Sequence, residues 1–195
     1  MKLYFAPNTC SLASHIVLEE LGLPHQAVKV NNQTKRTADG EDHLTINPKG
    51  HVAALVRDDG EVITEAPVIL QYLESLKPGA GLAPPAGSLE RWRLLERLNF
   101  IGSELHPKVA LLFNRDWPEA VLQGAREKLF KRVDYLENTL DSQQPFDLSG
   151  AYLFAVLGWF KLVGLELSQW PRLHAWHQAT AQRPAVERAL AAQTA

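Results

Sequence analysis

Among the 195 residues there is a single cysteine, Cys10. One thiol excludes an intrachain disulfide, a structural zinc site built from thiolates and a Cys-x-x-Cys redox pair. There is no run of 18 or more apolar residues to read as a membrane-spanning helix, and Pro7 interrupts the N-terminal apolar segment too early for a signal-peptide core. Charge of one sign is also lacking. The 20 Lys and Arg stand against 22 Asp and Glu, which leaves no basic field for a phosphate backbone or an anionic lipid surface. Neither a P-loop nor a Gly-x-Ser-x-Gly elbow occurs, and no internal repeat or low-complexity tract is found. The expectation is a cytoplasmic protein with no nucleic-acid, membrane or metal partner.

What is present points to a packed interior. Hydrophobic residues make up 46% of the chain and include five Trp and seven Phe, enough to bury a substantial core. The sharpest change of composition falls at residues 78–87, where Pro78, Pro84, Pro85, Gly79, Gly81 and Gly87 deny the backbone both helix and ladder. This segment is expected to link a first unit, residues 1–77, to a second, residues 88–195.

In the first unit, residues 2–6 are β-prone. Leu12, Ile16, Val17 and Leu21 then give a helix over residues 11–21, with Gly22 placed to end it. Strands are expected at 26–30, 52–56 and 62–64, the last two joined by a turn at Asp58-Asp59-Gly60, while 31–44 is polar and of no evident structure. Pro67 suits the first turn of a helix over 67–76. The order β-α-β-(α)-β-β-α is a small α/β arrangement of the thioredoxin-like type.

Past the linker only helices are expected. Leu89, Trp92, Leu95, Leu98, Ile101, Leu105, Val109 and Leu112 form one apolar stripe of a long helix, and further helices read at 119–140, 151–163 and 170–183. Pro107 should kink the long helix and push His106 out of right-handed helical geometry. His174 and His177 sit among Trp170, Leu173 and Trp176 without a third ligand, which reads as packing rather than metal binding.

Candidate chemistry collects at three places. Cys10 lies between the first strand and the first helix, where unpaired N–H groups and the helix dipole favour the thiolate. Asn47-Pro48-Lys49-Gly50-His51-Val52 leads into a strand and could leave main-chain groups free for an extended peptide. Glu65 precedes a helix start whose Ala66 N–H suits a carboxylate, while Glu65 itself could accept an ammonium. On the long helix, Asn99, Ser103 and His106 share one polar strip.

Several stretches together resemble the cytosolic glutathione transferases, and most closely their bacterial beta class. They are Lys2-Leu3-Tyr4-Phe5-Ala6-Pro7 with Cys10-Ser11-Leu12, Ile46-Asn47-Pro48-Lys49-Gly50, Glu65-Ala66-Pro67 ahead of Ile69-Leu70-Gln71-Tyr72-Leu73, Asn99-Phe100-Ile101 with Glu104-Leu105-His106, Ala151-Tyr152-Leu153-Phe154, and Gln182-Arg183-Pro184-Ala185-Val186. The resemblance implies a thioredoxin-like α/β domain that holds glutathione, an all-α helical bundle that supplies the pocket for a small hydrophobic electrophile, and a homodimer. It implies that Lys35 meets the glycine carboxylate of the tripeptide, Val52 its cysteinyl amide, and Glu65 with the Ala66 N–H its γ-glutamyl end. It also implies that Cys10 can form a mixed disulfide with glutathione, and that Asn99, Ser103, Glu104 and His106 approach the thiol, some of them from the partner chain.

Three positions depart from the family pattern. Ala53 stands where a cis-proline is usual, so either the peptide before it is cis or the Val52 pairing is displaced. Ala66 replaces a serine and its hydroxyl, and the helix cap ahead of Ala151 is expected to be lost because Asp147-Leu148-Ser149-Gly150 occupies its place. The expected activity is transfer of the glutathione thiol to electrophiles or its exchange with disulfides. Isomerisation and reductive dehalogenation with glutathione are further options, and the alternative is a non-catalytic binding protein of the same shape.

Overall fold

A computed structural model describes residues 1–141 and 144–194. The first half forms a five-stranded sheet in the order β3-β2-β1-β4-β5, from β1 (Lys2–Phe5), β2 (Gln26–Asn31), β3 (Arg36–Thr37), β4 (Ala54–Val56) and β5 (Val62–Thr64). β1 pairs parallel with β2 at Lys2↔Gln26 and antiparallel with β4 at Lys2↔Val56. β3, within the polar stretch, is an addition that its two residues were too few to signal by periodicity.

Alternation along β1 sorts the two faces of the sheet. Leu3 and Phe5 point into the main core with Leu55, Ile16 and Leu70, whereas Tyr4 and Ala6 join Val30, Val52 and Ala54 in a smaller cluster. The first face is covered by α1 (Ser11–Leu21) and α3 (Ala66–Ser75), and Tyr4 on the second is in ring contact with His43 of the short α2 (His43–Ile46).

Beyond residue 88 come α4 (Leu89–Phe100), a π-helical turn at Ile101–Leu105, α5 (His106–Leu111), α6 (Glu119–Thr139), α7 (Leu148–Leu157), α8 (Pro171–Ala181) and α9 (Pro184–Thr194). All ten residues of α7 are buried, so it is the central rod of this half. α9 had no expected counterpart. It folds back on α1, where Arg183 and Arg188 pair with Glu20 and Glu19 at 2.7 and 2.6 Å. A partly buried ion pair between Arg91 of α4 and Glu74 of α3, at 3.1 Å, fastens the helical half to the sheet half.

Two expectations are corrected here. The helix expected to start at Ala151 starts at Leu148, and it is capped: the Asp147 carboxylate accepts from the Gly150 N–H at 3.0 Å and from the Ser149 hydroxyl at 2.6 Å. Aspartate serves as well as serine at an N-cap, so the cap is moved rather than lost. Nor is His106 displaced from helical geometry, since its φ and ψ are both −51°. Pro107 is accommodated upstream by the π turn, in which the His106 N–H bonds the Ile101 carbonyl five residues back.

Candidate active site

The sheet presents one end to the helical half, and three connections converge there. In the first, between β1 and α1, the Thr9 hydroxyl donates to the Ala6 carbonyl at 2.8 Å, and the Ser11 hydroxyl, 2.6 Å from that of Thr9, also reaches Ala6. This polar knot fixes Cys10 as the N-cap of α1, with its thiol donating to the Val52 carbonyl at 3.6 Å. The charge state differs from the sequence expectation. Burial pushes the Cys10 thiol up to about 11, and the nearby Glu65 charge adds to this, against the lowering by backbone N–H groups. Desolvation of the thiolate outweighs the helix terminus.

The second connection runs from α2 to β4. Buried Asn47 donates to the His51 carbonyl at 2.7 Å, and His43 Nε2 reaches the same oxygen at 2.9 Å. The Asn47 side chain also accepts from the Lys49 N–H at 3.2 Å, which closes the turn. Gly50 adopts φ +68°, and a Cβ there would lie 3.2 Å from Leu44 and 3.7 Å from the Lys35 side chain. The loop is therefore pressed against Lys35, whose ammonium donates to Asn32 at 2.9 Å. The Val52–Ala53 peptide is cis, the first of the two geometries expected at that position.

The third connection joins β5 to α3. Glu65 has φ 71° and ψ 116°, outside the left-handed well, a conformation disfavoured for a residue with a Cβ. Its carboxylate meets Lys49 Nζ at 2.5 Å, and the same ammonium donates to Thr64 at 2.7 Å. At the start of α3, Pro67 has no N–H and the Val68 N–H is taken by the Glu65 carbonyl at 3.0 Å. The Ala66 N–H is left without a partner among the described residues, so an acid and an anion-seeking N–H stand side by side.

The helical half faces this end through His106. Its Nδ1 lies 2.7 Å from the Tyr152 hydroxyl, and its ring meets Trp159 edge-on at 4.8 Å. Burial holds the imidazole below its usual range, with a contribution from His51, and it pushes the Tyr152 phenol up, with Cys10 and Glu65 adding to that rise. The site therefore holds an uncharged imidazole and an intact phenol beside the thiol. A Cβ on Gly102 of the π turn would sit 3.6 Å from both Pro67 and Tyr152, so the two halves meet closely here.

Cys10, Val52, Glu65, Ala66 and His106, expected as site residues, come together at this end, and Lys35 flanks it beside Gly50. Asn99 and Ser103 are exposed, and the Ser103 hydroxyl is engaged by the Asn99 carbonyl at 2.9 Å. Glu104 turns toward Lys108 at 2.9 Å and Arg132 at 2.9 and 3.0 Å, whose hydrogen bonds hold its carboxyl below the ordinary range. No hydrogen bond or ion pair joins these three to Cys10, Glu65 or His106 among the described residues. Sequence reasoning missed Lys49, 16 residues from its partner Glu65, and Tyr152, 46 residues from His106. A tyrosine in an otherwise apolar buried run was the one signal for the latter.

A sheet of this topology, a cysteine at the first helix terminus and an acid at the start of α3 define a thioredoxin-like thiol site roofed by a helical bundle. Residues 9–76 match the model of the glutathione S-transferase N-terminal domain. The chain is 40% identical to the glutathione S-transferase GstA of Escherichia coli O157:H7, covering 99% of this chain and 98% of the relative. The beta-class glutathione S-transferase of Sphingomonas chungbukensis superimposes with a TM-score of 0.93 at 42% identity, over 99% of this chain and 98% of that one. A sphingomonad glutathione S-transferase solved with glutathione does so with a TM-score of 0.94 at 41% identity, over 100% and 99%. The chain belongs to the glutathione S-transferase family, and the bacterial beta class is among its structural neighbours.

Proposed function

We propose that this end of the sheet holds glutathione and that the protein transfers its thiol to small hydrophobic electrophiles. The observation that carries the reading is the juxtaposition of the Glu65 carboxylate with an Ala66 N–H that has no partner among the described residues, at a helix start. That pair complements the ammonium and carboxylate of an amino-acid end. Lys35 takes the glycine carboxylate and Val52 pairs with the cysteinyl amide, as strand addition requires. Bound glutathione supplies a nucleophilic sulfur: a carbon–sulfur bond forms, the bond to the leaving group breaks, and the thiol proton passes to solvent.

The chain's own residues prepare that step. His106 and Tyr152 form a hydrogen-bonded pair beside Cys10, and exposed Phe113, packed edge-on against buried Trp159, offers apolar surface to the electrophile. Cys10 is the second thiol of the site and serves disulfide exchange, in which its sulfur joins one half of a disulfide and releases the other as thiolate. A reducing compartment keeps such a lone thiol free, which supports a cytoplasmic location. A homodimer would cover exposed Val68, Leu89 and Trp92 and bring Asn99, Ser103 or Glu104 of a second copy toward the thiol.

Conjugation of chlorodinitrobenzene tests this reading. Thioether formation with release of chloride should require glutathione, and Glu65→Ala should raise the KM for glutathione about tenfold or more, the scale of a lost charged hydrogen bond. A rate independent of glutathione, or an unchanged KM in the variant, would overturn the assignment.

A further inference from the structure

Away from this site, on the opposite end of α1, three metal-competent side chains converge. His15 and Glu19 are one turn apart on α1, and His25 follows the helix end. Gly22, at φ 60° and ψ 35°, turns the chain back, and the Leu23 N–H bonds the Leu18 carbonyl at 3.0 Å. His25 is thereby laid edge-on against His15, with ring centroids 5.2 Å apart. One ligand atom from each of His15, Glu19 and His25 lies within 4.8 Å of the others.

The details around the trio favour ligation. His25 Nδ1 donates to the Leu23 carbonyl at 2.9 Å, which leaves Nε2 as the nitrogen free to bind and fixes the ring, the role an outer-shell partner plays in metal sites. That Nε2 faces Glu19 Oε1 at 3.9 Å, while the other carboxylate oxygen is held by Arg188 at 2.6 Å. His15 is 1% exposed, and its Nδ1 is a buried nitrogen without a hydrogen-bond partner among the described residues. Zinc–nitrogen bonds of about 2.0–2.1 Å need these atoms to close in by roughly an ångström. The side chains of His25 and Glu19 are partly exposed, 10% and 23%.

We propose that His15, Glu19 and His25 bind one first-row transition-metal dication, such as zinc, through two imidazole nitrogens and one carboxylate oxygen, with water completing the shell. Imidazole with carboxylate suits zinc and its neighbours and not calcium or magnesium. The ion would clasp the end of α1 to the segment entering β2 and, through Arg188, to α9. The trio escapes sequence inspection because its third member arrives only through the turn at Gly22.

Calorimetric titration of the whole protein with zinc chloride tests this, alongside His25→Ala and Cys10→Ala. The wild type and Cys10→Ala should each bind one zinc per chain, and His25→Ala should bind at least about tenfold more weakly. Zinc should also raise the melting temperature of the wild type, by mass action on the folded state, and not that of His25→Ala. The melt of His25→Ala without metal shows whether it folds. Absence of binding at millimolar zinc would overturn the proposal. So would equal affinity in a folded His25→Ala, or loss of binding in Cys10→Ala.

Discussion

At the scale of single residues, Cys10 shows two opposed effects with a clear winner. The helix terminus and its N–H groups favour the thiolate, but burial and the Glu65 charge outweigh them. Alkylation by iodoacetamide should therefore accelerate steadily from pH 8 toward the thiol value of about 11. A rate that levels off below pH 8 would mean that the helix terminus dominates after all. This was legible only in half: the position of Cys10 before a helix could be read from the sequence, whereas its thiol's partner, the Val52 carbonyl, lies 42 residues away.

At the scale of elements, α7 shows how one acid organises a helix start. Asp147 caps it, pairs with Arg97 at 2.7 Å and accepts from Gln144 at 2.8 Å. Asp147→Ala should cost about 2–3 kcal/mol, combining a lost cap with a lost charged hydrogen bond, while Asp147→Asn should cost less because an amide oxygen still caps. Denaturant melts of the two variants check this, and equal losses would contradict the capping role. The strands, the turn at Asp58-Asp59-Gly60 and most helices were readable because their apolar periods and breakers are local. The π turn, β3 and α9 were not. The first depends on how Pro107 is absorbed five residues upstream, β3 is too short to show a period, and α9 is fixed by charge pairs to α1 that lie more than 160 residues apart in the chain.

At the scale of the whole molecule, buried titratable groups set the pH range of stability. Burial holds His15, His106 and His177 below their usual value, so below about pH 6.5 the unfolded chain binds protons that the folded one refuses, and stability falls. Cys10 acts at the other end. Its thiol stays protonated in the fold while the unfolded thiol ionises near 9, so stability also falls as pH rises from there toward about 11. The melting temperature should show a plateau between about pH 6.5 and 8.5, bounded by these values, and decline on both sides. A melting temperature that climbs from pH 7 to pH 5 would contradict that balance. The change from a sheet half to a helical half was legible in the change of apolar period along the chain, but the convergence of loop, strand end and π turn at one end of the sheet arises only when the chain folds.

Calorimetric titration with reduced glutathione asks most directly whether that end of the sheet is a glutathione site. One molecule should bind per chain, Glu65→Ala should weaken it about tenfold or more, and Ala66→Ser should tighten it by a similar factor through an added hydrogen bond to a charged group. Silence at millimolar glutathione, or affinities indifferent to both substitutions, would contradict the account.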